Sequence, residues 1–124
     1  MNPYFTEVTE AHKAIELWLS RGEGGILPLL ARFSPDYTMV PLSGVPFGFE
    51  ALNRFFSTQG GSRPGLTITV DSLTLLAEWS TGAVVGYREI QQTAQETTVR
   101  WSTALFVLNE GKPQWRHLHE TAQA

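Results

Sequence analysis

The sequence predicts an α+β fold, with three helices packed into the concave face of a strongly curved, mainly antiparallel sheet. Three observations carry this. Apolar residues recur at helical spacing from Val8 to Leu19. From residue 66 onward four long runs are rich in β-branched and aromatic residues. The short Gly, Gln/Glu and Gly-Lys-Pro punctuation between those runs imposes antiparallel neighbours. Helices grouped ahead of a meander leave a sheet covered on one face.

Each element follows from its residues. Asn2-Pro3 caps and opens a helix over residues 3–21. Val8, Ala11, His12, Ile15, Trp18 and Leu19 form its face, and Arg21 and Gly22 close it. Gly24-Gly25 breaks the chain. Ile26, Leu29, Leu30 and Phe33 then form a short second helix, ended by Ser34-Pro35. "DYTMVPL" reads as a strand over residues 36–42, followed by a turn at Ser43-Gly44 and Pro46. A third helix spans about residues 48–58, with Leu52, Phe55 and Phe56 on its face. The remaining strands are carried by "LTITVDSLTLLAEWS", "AVVGYREIQQTA", "TTVRWSTALFVLNE" and "PQWRHLHETA"; Asp71-Ser72 interrupts the alternation of the first and marks a bulge. The order is α-α-β-α-β-β-β-β.

Composition narrows the class of protein. The 124 residues fit a single domain, 1–124, able to bury one core. Seven Phe, four Trp and three Tyr supply apolar area that a disordered chain lacks. The net charge is −3 and the nine basic residues are scattered from Lys13 to Arg116, so no nucleic-acid partner is expected. The absence of cysteine excludes disulfides, thiolate nucleophiles and Cys-type zinc sites. No signal pattern or membrane-length apolar stretch is visible, so the expectation is a cytoplasmic protein that does not engage a membrane.

The last run places two of the three histidines two residues apart, in "WRHLHET". Residues two apart on a strand share a face. Strict alternation therefore puts Trp115, His117, His119 and Thr121 in one row and Gln114, Arg116, Leu118 and Glu120 in the other. The first row reads as the pocket side. His117 and His119 titrate near neutrality and suit acid–base work. As a metal pair they lack a third ligand on their row, so no metal is expected.

The order of elements, with certain residues, resembles the nuclear transport factor 2-like superfamily, which includes SnoaL-like cyclases, ketosteroid isomerases and scytalone dehydratases. "PLSGVPFGFEALNRFF", Pro41 to Phe56, looks like that family's strand, glycine turn and "G-x-x-A-L-x-x-F-F" helix. "WSTALFVLNEGKPQWRHLHET" is similar to its last hairpin, ending in Trp, H-x-H and Ser or Thr. The resemblance implies a cone with a pocket at its open end, a homodimer formed through the outer sheet face, and either acid–base chemistry on small hydrophobic molecules or a binding or assembly role. The isomerase and cyclase relatives use a pocket Asp as base. Neither Asp36 nor Asp71 sits in a convincing match to that motif, so neither is carried over.

The expectation is a small-molecule ligand bound in the cone, with His117 and His119 as acid–base groups and no cofactor. The alternative is a non-catalytic accessory or dimerisation domain acting through the outer sheet face. Trp18, Phe49, Phe56, Trp101 and Trp115 supply the apolar wall, and Tyr37 is a candidate lining donor. His12 is either a rim residue with a packed ring or a further pocket histidine. On the third-from-last strand either Arg88 or Glu89 points inward; an inward Arg88 would favour a carboxylate-bearing ligand.

Overall fold

The computed structural model describes residues 2–124. Helix α1, Pro3–Arg21, begins where Asn2 accepts hydrogen bonds from the backbone N–H groups of Tyr4 and Phe5 at 2.8 and 3.3 Å. It ends at Gly22, whose φ of +67° is left-handed and whose N–H bonds back into the last turn. Helix α2 is shorter than predicted, Ile26–Leu30. Phe33 belongs instead to strand β1, Phe33–Val40, which runs through Ser34-Pro35. Pro35 is tolerated because β1 bulges there: Phe33 pairs with Trp115 and the ladder resumes only at Thr38 and His117. A two-residue strand β2, Phe47–Gly48, leads into α3, Phe49–Gln59.

Strands β3 (Thr67–Trp79), β4 (Gly82–Gln92), β5 (Thr97–Asn109) and β6 (Lys112–Ala122) form the meander. The sheet has six strands in the order β2-β1-β6-β5-β4-β3. Every neighbouring pair is antiparallel except β1 and β6, which are parallel. The bulge predicted at Asp71-Ser72 is present, with Ser72 at φ +57° and the β3–β4 register shifting between Asp71 and Thr74.

The helices cover one face of this sheet. Tyr4, Val8 and Ala11 of α1 and Leu52 and Phe56 of α3 are buried with Ala83, Val85 and Tyr87 of β4 and Ala104 and Phe106 of β5. Trp115 lies at the centre, 4.5 Å from the Phe106 ring centroid, and its Nε1–H donates to Glu7. Glu7 also receives Arg32 at 2.8 and 3.0 Å, which ties α1 to the segment before β1. Among the described residues no helix is long and apolar enough to cross a membrane.

Candidate functional site: a polar end in an apolar cone

Inside the cone is a cavity of about 670 Å³, within the range of roughly 300–1,000 Å³ usual for small-molecule sites. Its apolar wall comes from Ile15 and Leu19 of α1, Phe33, Tyr37 and Met39 of β1, and Leu52 and Phe56 of α3. Trp115 and Leu118 of β6 complete it. Val45 and Phe55 line the cavity and are also exposed, which puts them at its mouth. A second concavity, of about 630 Å³, is an open groove bordered by charged residues such as Glu10, Glu110 and Lys112, and lacks such a wall.

The polar end of the cavity is built on the inward positions of β4. Ala83, Val85, Tyr87 and Glu89 alternate inward and are buried, while Arg88 between them points out. Glu89, 3% exposed, meets His12 of α1, with the imidazole Nε2 at 3.1 Å from its carboxylate. The His12 Nδ1–H donates to the Val8 carbonyl at 2.7 Å. Both ring nitrogens therefore face acceptors, and a proton must lie between Nε2 and Glu89. Burial by itself opposes the imidazolium. The Glu89 hydrogen bond and charge, with the Val8 carbonyl, outweigh it and raise the His12 pKa above its ordinary value. Burial likewise opposes the Glu89 carboxylate, and the bond from His12 prevails to lower its pKa. Both shifts run in the same sense and favour imidazolium beside carboxylate.

The second Glu89 oxygen accepts the Gln91 amide N–H at 2.6 Å, and the Gln91 carbonyl accepts Arg63 Nη1–H at 2.7 Å. On the neighbouring strands Arg100 donates to Glu120 at 3.3 and 3.5 Å. Burial raises the Glu120 pKa, and Arg100 only partly offsets it. The Arg100 Nε is buried with no hydrogen-bond partner. His12, Arg63, Glu89, Gln91, Arg100 and Glu120 all line the cavity.

This arrangement answers some expectations and corrects others. His12, Tyr37, Phe56 and Trp115 line the cavity. His117 and His119 do not. Phe106 pairs with Trp115, but Leu105 pairs with His117, so Arg116 is an extra residue in β6. This bulge breaks the alternation, putting Leu118 and Glu120 on the inner face with Trp115 and both histidines on the outer one. His117 shares a hydrogen bond with the Thr38 hydroxyl at 2.7 Å, and His119 is exposed. Burial, then the charges of His119 and Arg116, lower the His117 pKa. Among the described residues neither histidine belongs to a group of three potential metal ligands.

Four further candidates lie outside the cavity lining. Trp18 bonds through its Nε1–H to the Phe56 carbonyl at 2.9 Å and braces α1 against α3. Phe49 opens α3 and packs, half-buried, on the core. Arg88 is on the outer face, bound by both Asp71 oxygens. Its guanidinium carbon lies 5.8 Å from the centroid of Trp101, which is 45% exposed. The outer face also exposes Leu76 and Trp79.

A cone with an apolar wall, an open mouth and a buried polar floor defines a class of small α+β pocket proteins. Superposition on solved structures names it. An NTF-2-like protein of unknown function from Pseudomonas aeruginosa is 40% identical, matching 99% of this chain and 100% of its own with a TM-score of 0.95. The chain belongs to the NTF-2-like family. A candidate scytalone dehydratase from Novosphingobium aromaticivorans is 10% identical, with 98% of this chain and 83% of its own aligned and a TM-score of 0.78. The CaMKII hub homology domain of Chlamydomonas reinhardtii is 16% identical, with 98% and 96% aligned and a TM-score of 0.76. At these low identities the last two share the fold alone. No family model and no curated protein matches the chain.

Proposed function

We propose that this chain binds a small, mostly apolar molecule in its cone and performs proton transfer on it, chemistry of the isomerase, dehydratase or cyclase kind. The observation that carries this reading is the buried His12–Glu89 pair at the polar end of an otherwise apolar cavity. Glu89 is held ionised and can accept a proton from a bound carbon acid. Once protonated, Glu89 can return that proton to another carbon or to a leaving hydroxyl of the same molecule, while His12, bonded through its ring to the Val8 carbonyl and to Glu89, orients the carboxylate. An apolar wall strengthens both interactions by excluding water. Such proton transfers need no cofactor. The scytalone dehydratase candidate, built on the same fold, is compatible with this chemistry. Native mass spectrometry of the protein purified from its own organism tests the reading. A retained small molecule that is lost from a Phe33→Arg variant is expected; a bare polypeptide mass counts against it.

A second reading has its own observation. Leu76, Trp79 and Trp101 are exposed on the outer face of the sheet, and apolar groups gathered there mark an interaction surface. Pairing of two copies through this face would make the chain an assembly domain, a role compatible with the hub homology domain that shares its fold. Sedimentation velocity decides this. A dimer that Trp101→Glu dissociates supports it, and a wild-type monomer at micromolar concentration rejects it.

A further inference from the structure

The charges lining the cavity do not cancel. His12 is matched by Glu89 and Arg100 by Glu120. Arg63 has no carboxylate partner among the described residues; its one side-chain hydrogen bond goes to the neutral amide of Gln91. A guanidinium carries five N–H donors, so most of its capacity is unspent. It is also held in place. Its backbone N–H donates to the Leu19 carbonyl at 2.9 Å, at the end of α1, and its carbonyl accepts from Leu66 N–H at 3.1 Å.

Gln91 fixes the side chain as well. Its amide can be oriented only one way, because its NH₂ must meet the Glu89 carboxylate and its carbonyl must meet Arg63. Arg63, Gln91, Glu89 and His12 thus form one hydrogen-bonded chain along the cavity wall. The proton-transfer pair sits at one end and an uncompensated cation at the other.

We infer that the cavity is built for an amphipathic monocarboxylate, its apolar body against Ile15, Phe33 and Leu52 and its carboxylate on Arg63. This rests on the binding reading above and adds the chemical class of the ligand. The planar fork of a guanidinium matches a carboxylate bidentately. One unpaired positive charge matches one negative charge. A phosphate dianion would bring a second charge toward Glu89 and Glu120 with nothing left to neutralise it. The body of such a molecule would run from Arg63 along the wall and place carbon atoms near the carboxylate against Glu89.

The test uses two probes of nearly equal shape, naphthalene-1-acetate and naphthalene-1-acetamide, titrated calorimetrically into the full chain. The acid should bind about tenfold or more tightly than the amide, and raised salt should narrow the difference. Arg63→Gln should abolish the preference of acid over amide, and Arg63→Lys should keep part of it. Arg54→Gln removes an equal charge from an exposed position on α3 and should change nothing. Thermal melts of each variant report that it is folded. Equal binding of acid and amide, or a preference that survives Arg63→Gln, overturns the carboxylate assignment and leaves the binding reading standing. Failure of both probes to bind counts against both.

Discussion

His12 of α1 and Glu89 of β4 meet at 3.1 Å inside the cone, although 77 positions separate them in the chain. The helix and the sheet are joined by a polar contact in the middle of an apolar interface. Removing one partner leaves the other charged, buried and unmatched, which costs about 3–5 kcal/mol. His12→Ala should therefore lower the urea-derived stability by about that amount. Adding Glu89→Gln to His12→Ala should recover part of the loss, giving a coupling energy of about 1–3 kcal/mol in a double-mutant cycle. Strictly additive losses would mean that the two side chains do not interact in solution.

The same pair sets a pH optimum. Glu89 has a native pKa below its unfolded value, so its contribution is complete above about pH 4.3 and is lost as pH falls through the lower native value. His12 has a native pKa above its unfolded value, so its contribution is complete below about pH 6.5 and is lost as pH rises through the higher native value. Both are present between those limits. Glu120, with its pKa raised, adds a tendency toward the acidic side of that window. Thermal denaturation at a series of pH values should peak between about pH 4.3 and 6.5 and decline toward alkaline pH. The alkaline decline should flatten in His12→Asn; an identical decline in that variant would remove His12 as its source.

Much of the site was legible, and the reason it was misplaced is physical. The spacing of Val8, Ala11, His12 and Ile15 locates His12 on the buried side of α1, and Glu89 shares parity with Val85 and Tyr87 on β4. Those features depend on neighbours within a few residues. The Arg116 bulge does not. It arises where β6 pairs at once with β5 and, in parallel, with an irregular stretch of β1, and Arg116 Nη1–H donates across to the Asp36 carbonyl at 2.7 Å. Nothing in "QWRHLHE" announces a partner 80 residues away, so strict alternation points both histidines to the wrong face. Arg63 was invisible for a related reason. It lies in a turn and reaches the cavity only because α1 and β4 are brought beside it.

The outward placement of His117 and His119 is itself testable. His119→Asn should change stability by no more than about 0.5 kcal/mol, as at other exposed positions. His117→Asn should cost about 1 kcal/mol through its bond to Thr38. Neither should alter the ring-proton NMR signals of His12 or the affinity for a cavity ligand. Loss of ligand affinity in either variant would return these residues to the pocket.

Gly82 shows how tightly the sheet is closed at the far end of β4 from Glu89. A Cβ built at this position collides with the backbone carbonyl of Phe106 and lies 3.0 Å from the Trp79 ring. The backbone carbonyl has no rotamer to escape into, so β4 and β5 must separate locally. Gly82→Ala should cost about 1–3 kcal/mol or more in denaturant unfolding. The strain should stay near the β3–β4 turn, because Ala83 and Val85 are held from both sides before the strand reaches Glu89. The variant should keep the His12 imidazolium signals of the wild type while melting earlier. If those signals vanish together with the lost stability, the floor of the cavity and the β3–β4 turn unfold as one cooperative unit instead.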